Sequence, residues 1–164
     1  MKIAIIGGGA AGYFAAINAA ELNPDLEVVI LEGSNKVLQK VKVSGGGRCN
    51  ITHACFIPNE LIEFYPRGKK ELRGPFHHFM TGDTMEWFEK RGVSLKIEDD
   101  NRIFPESNSS QTIIDCFLES AKNVGVIIKT STRADSIEKK DEQFIVKANN
   151  EEFIADFVLI AAGS

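Results

Sequence analysis

Near the amino terminus, the segment Gly7-Gly8-Gly9-Ala10-Ala11-Gly12 has the residue types and spacing of a phosphate-binding turn. In the pattern G-x-G-x-x-G, the first glycine permits a tight turn and the second lets backbone N–H groups approach a pyrophosphate. The third lets a helix pack closely on a strand. Glu32 follows about 20 residues later, where an acid that binds a ribose is expected. The pattern predicts a dinucleotide site, and the acid favours FAD or NAD over NADP. The alternative to a dinucleotide site is that the glycines form a tight turn without a ligand and that Glu32 is a solvated carboxylate at the end of a strand.

A second glycine-rich segment runs from Ser44 to Asn50, with the sequence Ser-Gly-Gly-Gly-Arg-Cys-Asn. Glycines allow close backbone approach, the terminal polar side chains can form hydrogen bonds, and Arg48 supplies a planar cation. This combination suits a phosphate or the edge of a heterocycle, although a flexible surface turn is also consistent with it. The segment lacks the G-K-[ST] ending of a P-loop.

The composition excludes several classes of protein. The chain has 164 residues, is 43% hydrophobic and 26% charged, and carries a formal net charge of −4. Its charges are interspersed and no apolar run has the ~18 residues of a membrane span, so neither a nucleic-acid nor a membrane partner is expected. Cys49, Cys55 and Cys116 show no disulfide framework, which favours a cytoplasmic location. The spacing of Cys49, His53 and Cys55 fits no common zinc pattern, so no metal site is predicted.

The elements that must position these residues follow an α/β order. Ile3–Ile6 predicts a strand buried on both faces, Ala10–Leu22 a helix, and Glu27–Glu32 a second buried strand parallel to the first. The stretch from Gly33 to about Pro75 is too long for an ordinary connection, so it is expected to be functional or to carry short helices. Helical periodicity returns at Asp83–Arg91 and at Ser109–Asn123.

The last third of the chain predicts strands. Val126–Lys129 is a short strand, and alternating segments near Ala134–Glu138, Gln143–Ala148 and Glu151–Ala155 have the pattern of a three-stranded antiparallel meander. Phe157–Ile160 predicts another buried strand. The fold class is therefore α/β, with a parallel sheet and the meander as a second layer.

The segment from Lys40 to Asn50 resembles the signature of the HI0933-like, or BaiN-type, bacterial flavoproteins, which are NAD(P)/FAD-dependent oxidoreductases. Arg102-Ile103-Phe104-Pro105 and Val158-Leu159-Ile160-Ala161-Ala162-Gly163 support the resemblance. It implies a Rossmann-like, glutathione-reductase-like FAD domain, with the meander inserted before the last parallel strand. It also implies a flavin-dependent oxidoreductase, in which the isoalloxazine carries hydride or electrons.

The resemblance implies that Glu32 faces the adenosine ribose, that backbone groups of Ala134 contact adenine, and that the Arg48 segment lies towards the flavin. No catalytic residue is predicted. The predicted cofactor-binding residues are Gly7, Gly9, Ala10, Ala11, Gly12, Glu32, Gly33, Lys40, Ser44, Gly45, Gly46, Arg48, Cys49, Asn50, Ala134, Ala162 and Gly163.

The chain departs from the family pattern at several positions. His53 stands where Asn is usual, Asn101 where Gly is common, and Ala162-Gly163-Ser164 where Thr-Gly-Gly is usual. Family members have roughly 400 residues, well beyond a single compact domain. Residues 1–164 are therefore expected to be a truncated N-terminal FAD/NAD(P)-binding domain without the substrate domain and the C-terminal flavin-binding segment. Such a piece should bind FAD weakly or not at all and tend to self-associate.

Two other functions remain open from the sequence. One is an NAD-dependent dehydrogenase or reductase that uses the same glycine pattern, and the other is a dinucleotide-binding module without turnover. NAD(P)H is a candidate electron donor for a flavoenzyme, but the sequence does not identify the donor. A small molecule is the expected substrate, of a class that the sequence does not indicate.

Overall fold

The computed structural model describes residues 1–163, and Ser164 lies outside the described residues. The strands are β1 (Lys2–Ile6), β2 (Glu27–Leu31), β3 (Thr52–His53), β4 (Leu95–Ile97), β5 (Arg102–Pro105), β6 (Ile127–Lys129), β7 (Ala134–Lys140), β8 (Gln143–Ala148), β9 (Glu151–Ala155) and β10 (Phe157–Ile160). The α-helices are α1 (Ala10–Leu22), α2 (Gln39–Val43), α3 (Pro58–Leu61), α4 (Lys69–Phe76), α5 (Thr81–Glu89) and α6 (Ser110–Asn123). Two 3₁₀ turns occupy Ser44–Gly47 and Ile62–Phe64.

The chain divides into two compact units. Unit 1 contains Met1–Val41 and the chain from Phe117 onward, and unit 2 contains Lys42–Cys116. The division falls within the single domain that the sequence predicts, because the long segment after β2 folds into elements of its own. Helices α2, α3 and α4 lie in the segment from Gly33 to about Pro75, which confirms that it carries short helices.

Unit 1 contains a parallel sheet with the strand order β10-β1-β2-β6. Ile5 lies opposite Ile30 of β2 and Leu159 of β10 in the parallel register. Residues Val28 to Leu31 are all at most 2% exposed, as expected for a central strand that is covered on both faces. Helix α1 connects β1 to β2 and buries Gly12, Ala16 and Ala20, because small side chains let its backbone lie close to the sheet.

The meander β7-β8-β9 forms the second layer, as the sequence predicts. Val146, Ala148, Phe153 and Ala155 from the meander pack with Ala4, Val29 and Leu31 from the parallel sheet in one buried cluster. The β8–β9 connection uses Asn149 and Asn150, whose φ values of 50° and 64° are typical of the tight turns that join antiparallel strands.

The prediction that β10 is a buried strand is wrong. Phe157 is 53% exposed and Ile160 is 68% exposed. Strand β10 lies at the edge of the sheet beside β1, and Val158 is its residue that packs on the meander cluster. Because side chains alternate along a strand, Phe157 and Leu159 lie on the face opposite Val158 and keep contact with solvent, and Ile160 is exposed at the end of the strand.

Unit 2 contains a small antiparallel sheet, in the order β3-β5-β4, that the sequence analysis did not predict. Ile103 and Phe104 of β5 are fully buried, so the central strand supplies the core of this unit. Helix α5 begins after Met80, whose backbone N–H donates to the Asp83 carboxylate at 2.8 Å. Within residues 1–163, no helix has the length and apolar composition needed to cross a membrane.

Candidate dinucleotide-binding site

The turns that follow β1, β2 and β10 meet at the carboxyl edge of the parallel sheet. The Gly7 N–H donates to the Leu31 carbonyl at 2.9 Å, and the Ala161 N–H donates to the Ile6 carbonyl at 2.8 Å. These bonds continue the strand ladders by one residue and hold the three turns side by side. Open α/β sheets bind ligands at this edge, so the topology brings the Gly7 and Glu32 segments together where a ligand is expected.

Gly7 and Gly12 are required by the packing of the turn itself. Gly7 has φ of 114°, and a Cβ atom there would lie 2.5 Å from the Ala161 carbonyl oxygen. A Cβ atom on Gly12 would lie 2.0 Å from the Gly7 carbonyl oxygen. A side chain at either position would therefore separate α1 from β1 or push β10 away.

Gly9 differs from these two glycines because the space beside it is open. It precedes α1 with an extended backbone, φ −86° and ψ −175°, and a Cβ atom there would meet nothing within 4 Å. In the described chain, no side chain caps this end of α1, and its first turn carries no acidic residue. Ala10 and Ala11 are exposed. The uncapped N–H groups and the positive end of the helix dipole therefore face an open space that suits a pyrophosphate.

Glu32 lies at the end of β2 and is held by the turns on both sides. Its Oε2 accepts from the Gly8 N–H at 2.7 Å, and its Oε1 accepts from the Ser34 N–H at 2.8 Å. Partial burial acts to raise the pKa of Glu32, but these N–H donors outweigh it and lower the pKa from its ordinary value. The carboxylate is charged at neutral pH, and each oxygen keeps a lone pair for a ribose hydroxyl.

The connection between β6 and β7 lies against the Glu32 turn. The Thr132 N–H donates to the Glu32 carbonyl at 2.8 Å, and the Ser131 N–H donates to the Ser34 carbonyl at 2.7 Å. Arg133 lies beside Gly33, where a Cβ atom on the glycine would lie 3.4 Å from the arginine Cβ, in ordinary van der Waals contact. These contacts carry the chain to Ala134 at the start of β7. Predicted residues about 100 positions apart in the sequence therefore lie at one place.

Sequence reasoning missed Ser34 and Arg133. Ser34 is the second residue after Glu32, and Arg133 immediately precedes Ala134. Their positions beside predicted site residues were the available signal. The hydrogen bond from the Ser34 N–H to Glu32 and the contact of Arg133 with Gly33 both depend on how the turns pack.

Lys40 and Gly163 also come together, although they lie near opposite ends of the sequence. Gly163 has φ of 72°, and a Cβ atom on it would lie 3.7 Å from the Lys40 Nζ. Lys40 is exposed on α2. Its ammonium therefore stands beside the segment that follows β10, and Ala162 in that segment is exposed as well.

Tyr13 is an unusual member of the core beside this site. Its ring is fully buried and lies 6.1 Å from the Phe117 ring, and within the described residues its hydroxyl has no hydrogen-bond partner. Burial, with a smaller contribution from the Glu32 charge, raises the pKa of Tyr13 to about 12. The hydroxyl therefore stays protonated and remains available as a donor.

The second glycine segment forms a left-handed turn in unit 2. Gly45, Gly46 and Gly47 have φ values of 55°, 68° and 88°. A Cβ atom on Gly45 would lie 2.7 Å from the backbone nitrogen of Asn50 and 2.9 Å from a ring carbon of Phe104. A Cβ atom on Gly46 would meet nothing within 4 Å. The turn is closed by the Cys49 N–H, which donates to the Ser44 carbonyl at 3.0 Å. Gly46 is therefore the open position of this turn, as Gly9 is in unit 1.

Arg48 is engaged within unit 2. Its Nη1 donates to the Glu98 carboxylate at 2.6 Å, and its guanidinium carbon lies 4.0 Å from the centre of the Phe104 ring. Asn50, with its amide nitrogen turned towards them, donates to the carbonyls of Thr52 at 3.0 Å and Ile103 at 3.3 Å. The side chains of Arg48 and Asn50 thus join the glycine turn to the small sheet. This is a structural role in addition to the cofactor contact that the sequence predicts.

Cys49 has a protonated thiol at neutral pH. It is buried and has φ of 62°, and burial raises its pKa despite an opposing hydrogen bond with the Ser44 side chain. The thiolate is the reactive form of cysteine, so this environment disfavours a redox nucleophile. Among the described residues the three cysteines form no disulfide, and no group of three His, Cys, Asp or Glu side chains could hold a metal ion.

A family model described as the HI0933-like protein Rossmann domain matches residues 1–164. The chain belongs to the HI0933-like family. This agrees with the resemblance carried by the Ser44 to Asn50 segment.

Two curated relatives of this HI0933-like chain match along almost all of it. A 3-dehydro-bile acid delta(4,6)-reductase from Clostridium scindens is 30% identical over 99% of the chain and 39% of the relative. A ribosomal RNA dihydrouridine synthase from Escherichia coli is 25% identical over 97% of the chain and 38% of the relative. The HI0933-like chain therefore spans about two fifths of the length of these relatives.

Solved structures confirm the Rossmann-type α/β fold. A 3-ketosteroid-delta4-(5alpha)-dehydrogenase from Rhodococcus jostii matches with a TM-score of 0.71 and 15% identity, over 99% of this chain and 45% of that one. A bacillithiol disulfide reductase from Staphylococcus aureus matches with a TM-score of 0.52 and 16% identity, over 99% of this chain and 38% of that one. At these identities the likeness concerns the fold.

Proposed function

We propose that this chain is the FAD-binding portion of a flavin-dependent oxidoreductase. The observation that carries the proposal is the open space at Gly9, beside the uncapped end of α1 and next to the Glu32 carboxylate. A Cβ atom is excluded at Gly7 and Gly12 by the protein itself, but at Gly9 nothing within the described chain excludes it. A glycine at this position suits a ligand that approaches the backbone closely.

The residues of unit 1 fit the adenosine and pyrophosphate portion of a dinucleotide. Backbone N–H groups at the start of α1 would bind the pyrophosphate, and Glu32 would accept hydrogen bonds from the ribose. Backbone groups at Ala134 are proposed to contact the adenine. Lys40 is also proposed to contact the cofactor, together with Ala162 and Gly163 in the segment beyond β10. The Ser44 to Asn50 segment is assigned to the flavin by resemblance. When bound, FAD supplies hydride or electron transfer through its isoalloxazine ring.

We propose a small molecule as the substrate and NAD(P)H as the electron donor. The name of one relative places its reaction on a bile acid and the name of the other places it on ribosomal RNA. The net charge of −4 with interspersed charges favours a small molecule over RNA. One name is that of a reductase and the other names a dihydro product, so a reduction is the reaction proposed for the whole protein.

Two variants separate ligand binding from folding. Gly9→Val places a branched side chain in the open space, so the chain should fold normally while its affinity for FAD falls by at least about tenfold, or about 1.4 kcal/mol. Gly12→Val forces its Cβ against the Gly7 carbonyl and should destabilise the fold by about 1–3 kcal/mol or more. FAD affinity is measured by titration to high concentration, and folding by circular dichroism and urea unfolding.

The same titration distinguishes the alternatives. An NAD-dependent enzyme would bind NADH more tightly than FAD, and a module without turnover would bind ADP-ribose without any reduction of added flavin by NAD(P)H. FAD binding that is unchanged in Gly9→Val would show that the phosphate site lies elsewhere.

A further inference from the structure

A groove in unit 2 is lined by none of the residues proposed to bind the dinucleotide and does not depend on them. The His53 groove is lined by residues 53–57, by positions 59, 60, 63 and 64, and by Asn101, and its volume is about 600 Å³. Small-molecule sites occupy about 300–1,000 Å³, so the size is suitable. We propose that the His53 groove binds a ring compound that carries a carbonyl or hydroxyl group and no anionic group.

Its walls are apolar and open to solvent. Phe56 is 54% exposed, Ile57 is 52% exposed and Phe64 is 58% exposed, and all three side chains line the groove. Exposed apolar surface costs free energy in proportion to its area, and such surface gathered around a concave site marks a place for a ligand. Two aromatic walls favour a ligand with flat apolar faces, because offset or tilted ring contacts add to the burial of area.

Polar groups stand at fixed positions in the same groove. The His53 ring lies 4.2 Å from the Phe64 ring, centre to centre, which orients the imidazole. The backbone of Asn101 is held by two hydrogen bonds, since its carbonyl accepts from the Ala54 N–H at 2.7 Å and its N–H donates to the Glu98 carbonyl at 2.8 Å. The imidazole and the side-chain amide supply hydrogen-bonding groups for a carbonyl or hydroxyl.

The charge of the lining selects against anions. Glu60 and Glu63 both line the groove, and among the described residues that line it there is no lysine or arginine. Glu63 forms an ion pair with Lys69, which itself is not part of the lining. A phosphate or carboxylate in the groove would therefore meet the Glu60 charge with no lysine or arginine in the lining to bind it, so nucleotides and organic acids are disfavoured.

Two fluorescent probes test the proposal on the whole chain without FAD, so failure of the flavin proposal leaves this test unaffected. Nile red is a neutral ring compound with a carbonyl, and 8-anilinonaphthalene-1-sulfonate is an anionic one. We expect Phe64→Ala to weaken Nile red binding by about fivefold through lost apolar contact. The matched control is Phe79→Ala, an exposed phenylalanine of unit 2 that does not line the groove, which should change the affinity by less than about twofold.

A charge substitution gives a gain of binding that loss of folding would not explain. Glu60→Lys should strengthen binding of the anionic probe by at least about fivefold while Nile red still binds and the circular dichroism is unchanged. Glu71→Lys, on exposed α4 outside the groove, is the control and should not do so. The proposal is overturned if Phe64→Ala behaves like Phe79→Ala, if the anionic probe binds the unchanged chain as tightly as Nile red, or if Glu60→Lys behaves like Glu71→Lys.

Discussion

The Glu32 carboxylate is held by main-chain N–H groups of Gly8 and Ser34 in the folded chain. Because the pKa of Glu32 is lower in the folded chain than its ordinary value of 4.5, its contribution to stability is fully present above that value. The contribution is lost as the pH falls through the lower folded value. Stability from this group therefore rises with pH across the acidic range and is constant at neutral pH.

We expect Glu32→Gln to lower the free energy of unfolding by about 1 kcal/mol at neutral pH, because the amide cannot accept at both of its ends. The difference from the unchanged chain should shrink as the pH falls below 4.5 and through the lower folded pKa of Glu32, because the carboxylate then becomes protonated. Urea unfolding at neutral pH and across the acidic range measures it. Glu119→Gln, an exposed carboxylate on α6, is the control. A difference that persists unchanged at low pH would contradict the role given to the charge.

At the scale of elements, the glycine turn of unit 2 and strand β5 stabilise one another through Arg48. The Arg48 guanidinium lies over the Phe104 ring, and the same ring fills the space that a Cβ atom on Gly45 would need. The turn therefore packs directly on the central strand of the small sheet. This arrangement supports a glycine-rich segment in which three successive residues, Gly45 to Gly47, have positive φ.

Arg48→Ala should lower the free energy of unfolding by about 1–2 kcal/mol, the sum expected for a half-buried cation–π contact and an ion pair with Glu98. The measurement is urea unfolding of the chain without ligand. Arg102→Ala provides the comparison, since Arg102 is exposed and lies farther from the same ring, at 5.3 Å. Its effect should be clearly smaller. Equal effects of the two variants would show that the Arg48 contacts add little stability, and would leave flavin binding as its proposed role.

At the scale of the whole chain, the edge strand β10 is one place where large apolar side chains remain exposed. Phe157, Leu159 and Ile160 keep large apolar areas in contact with water, and β10 is at the edge of its sheet. Edge strands with apolar side chains pair readily with other chains. We therefore expect the chain to self-associate as its concentration rises.

Ile160→Lys should weaken this association by about tenfold, because it places a charge on the edge strand. Sedimentation equilibrium over a range of concentrations measures the effect. Leu22→Lys is the matched control, since Leu22 is even more exposed but stands alone at the end of α1. If both variants associate alike, another surface is responsible.

The sequence by itself determined the elements whose signals are local. Helix α1 and strands β8, β9 and β10 begin and end where periodicity predicts, because apolar spacing and turn residues act within a few positions. The glycine spacing before α1 and the acid after β2 likewise predicted a turn and a carboxylate that the structure places together. Each of these features depends on residues that are close in the chain or joined by one crossover.

Only the tertiary structure decided the features that depend on distant neighbours. The sequence of β10 is as apolar as that of β2. However, β2 lies between two neighbouring strands and is covered on both faces, whereas β10 lies at the edge of the sheet. The pairing of β3 with β5 and the pairing of Arg48 with Glu98 escaped prediction because their partners lie about 50 residues apart. Burial and pairing are properties of the surroundings of a residue, and a single sequence specifies those surroundings only through the complete fold.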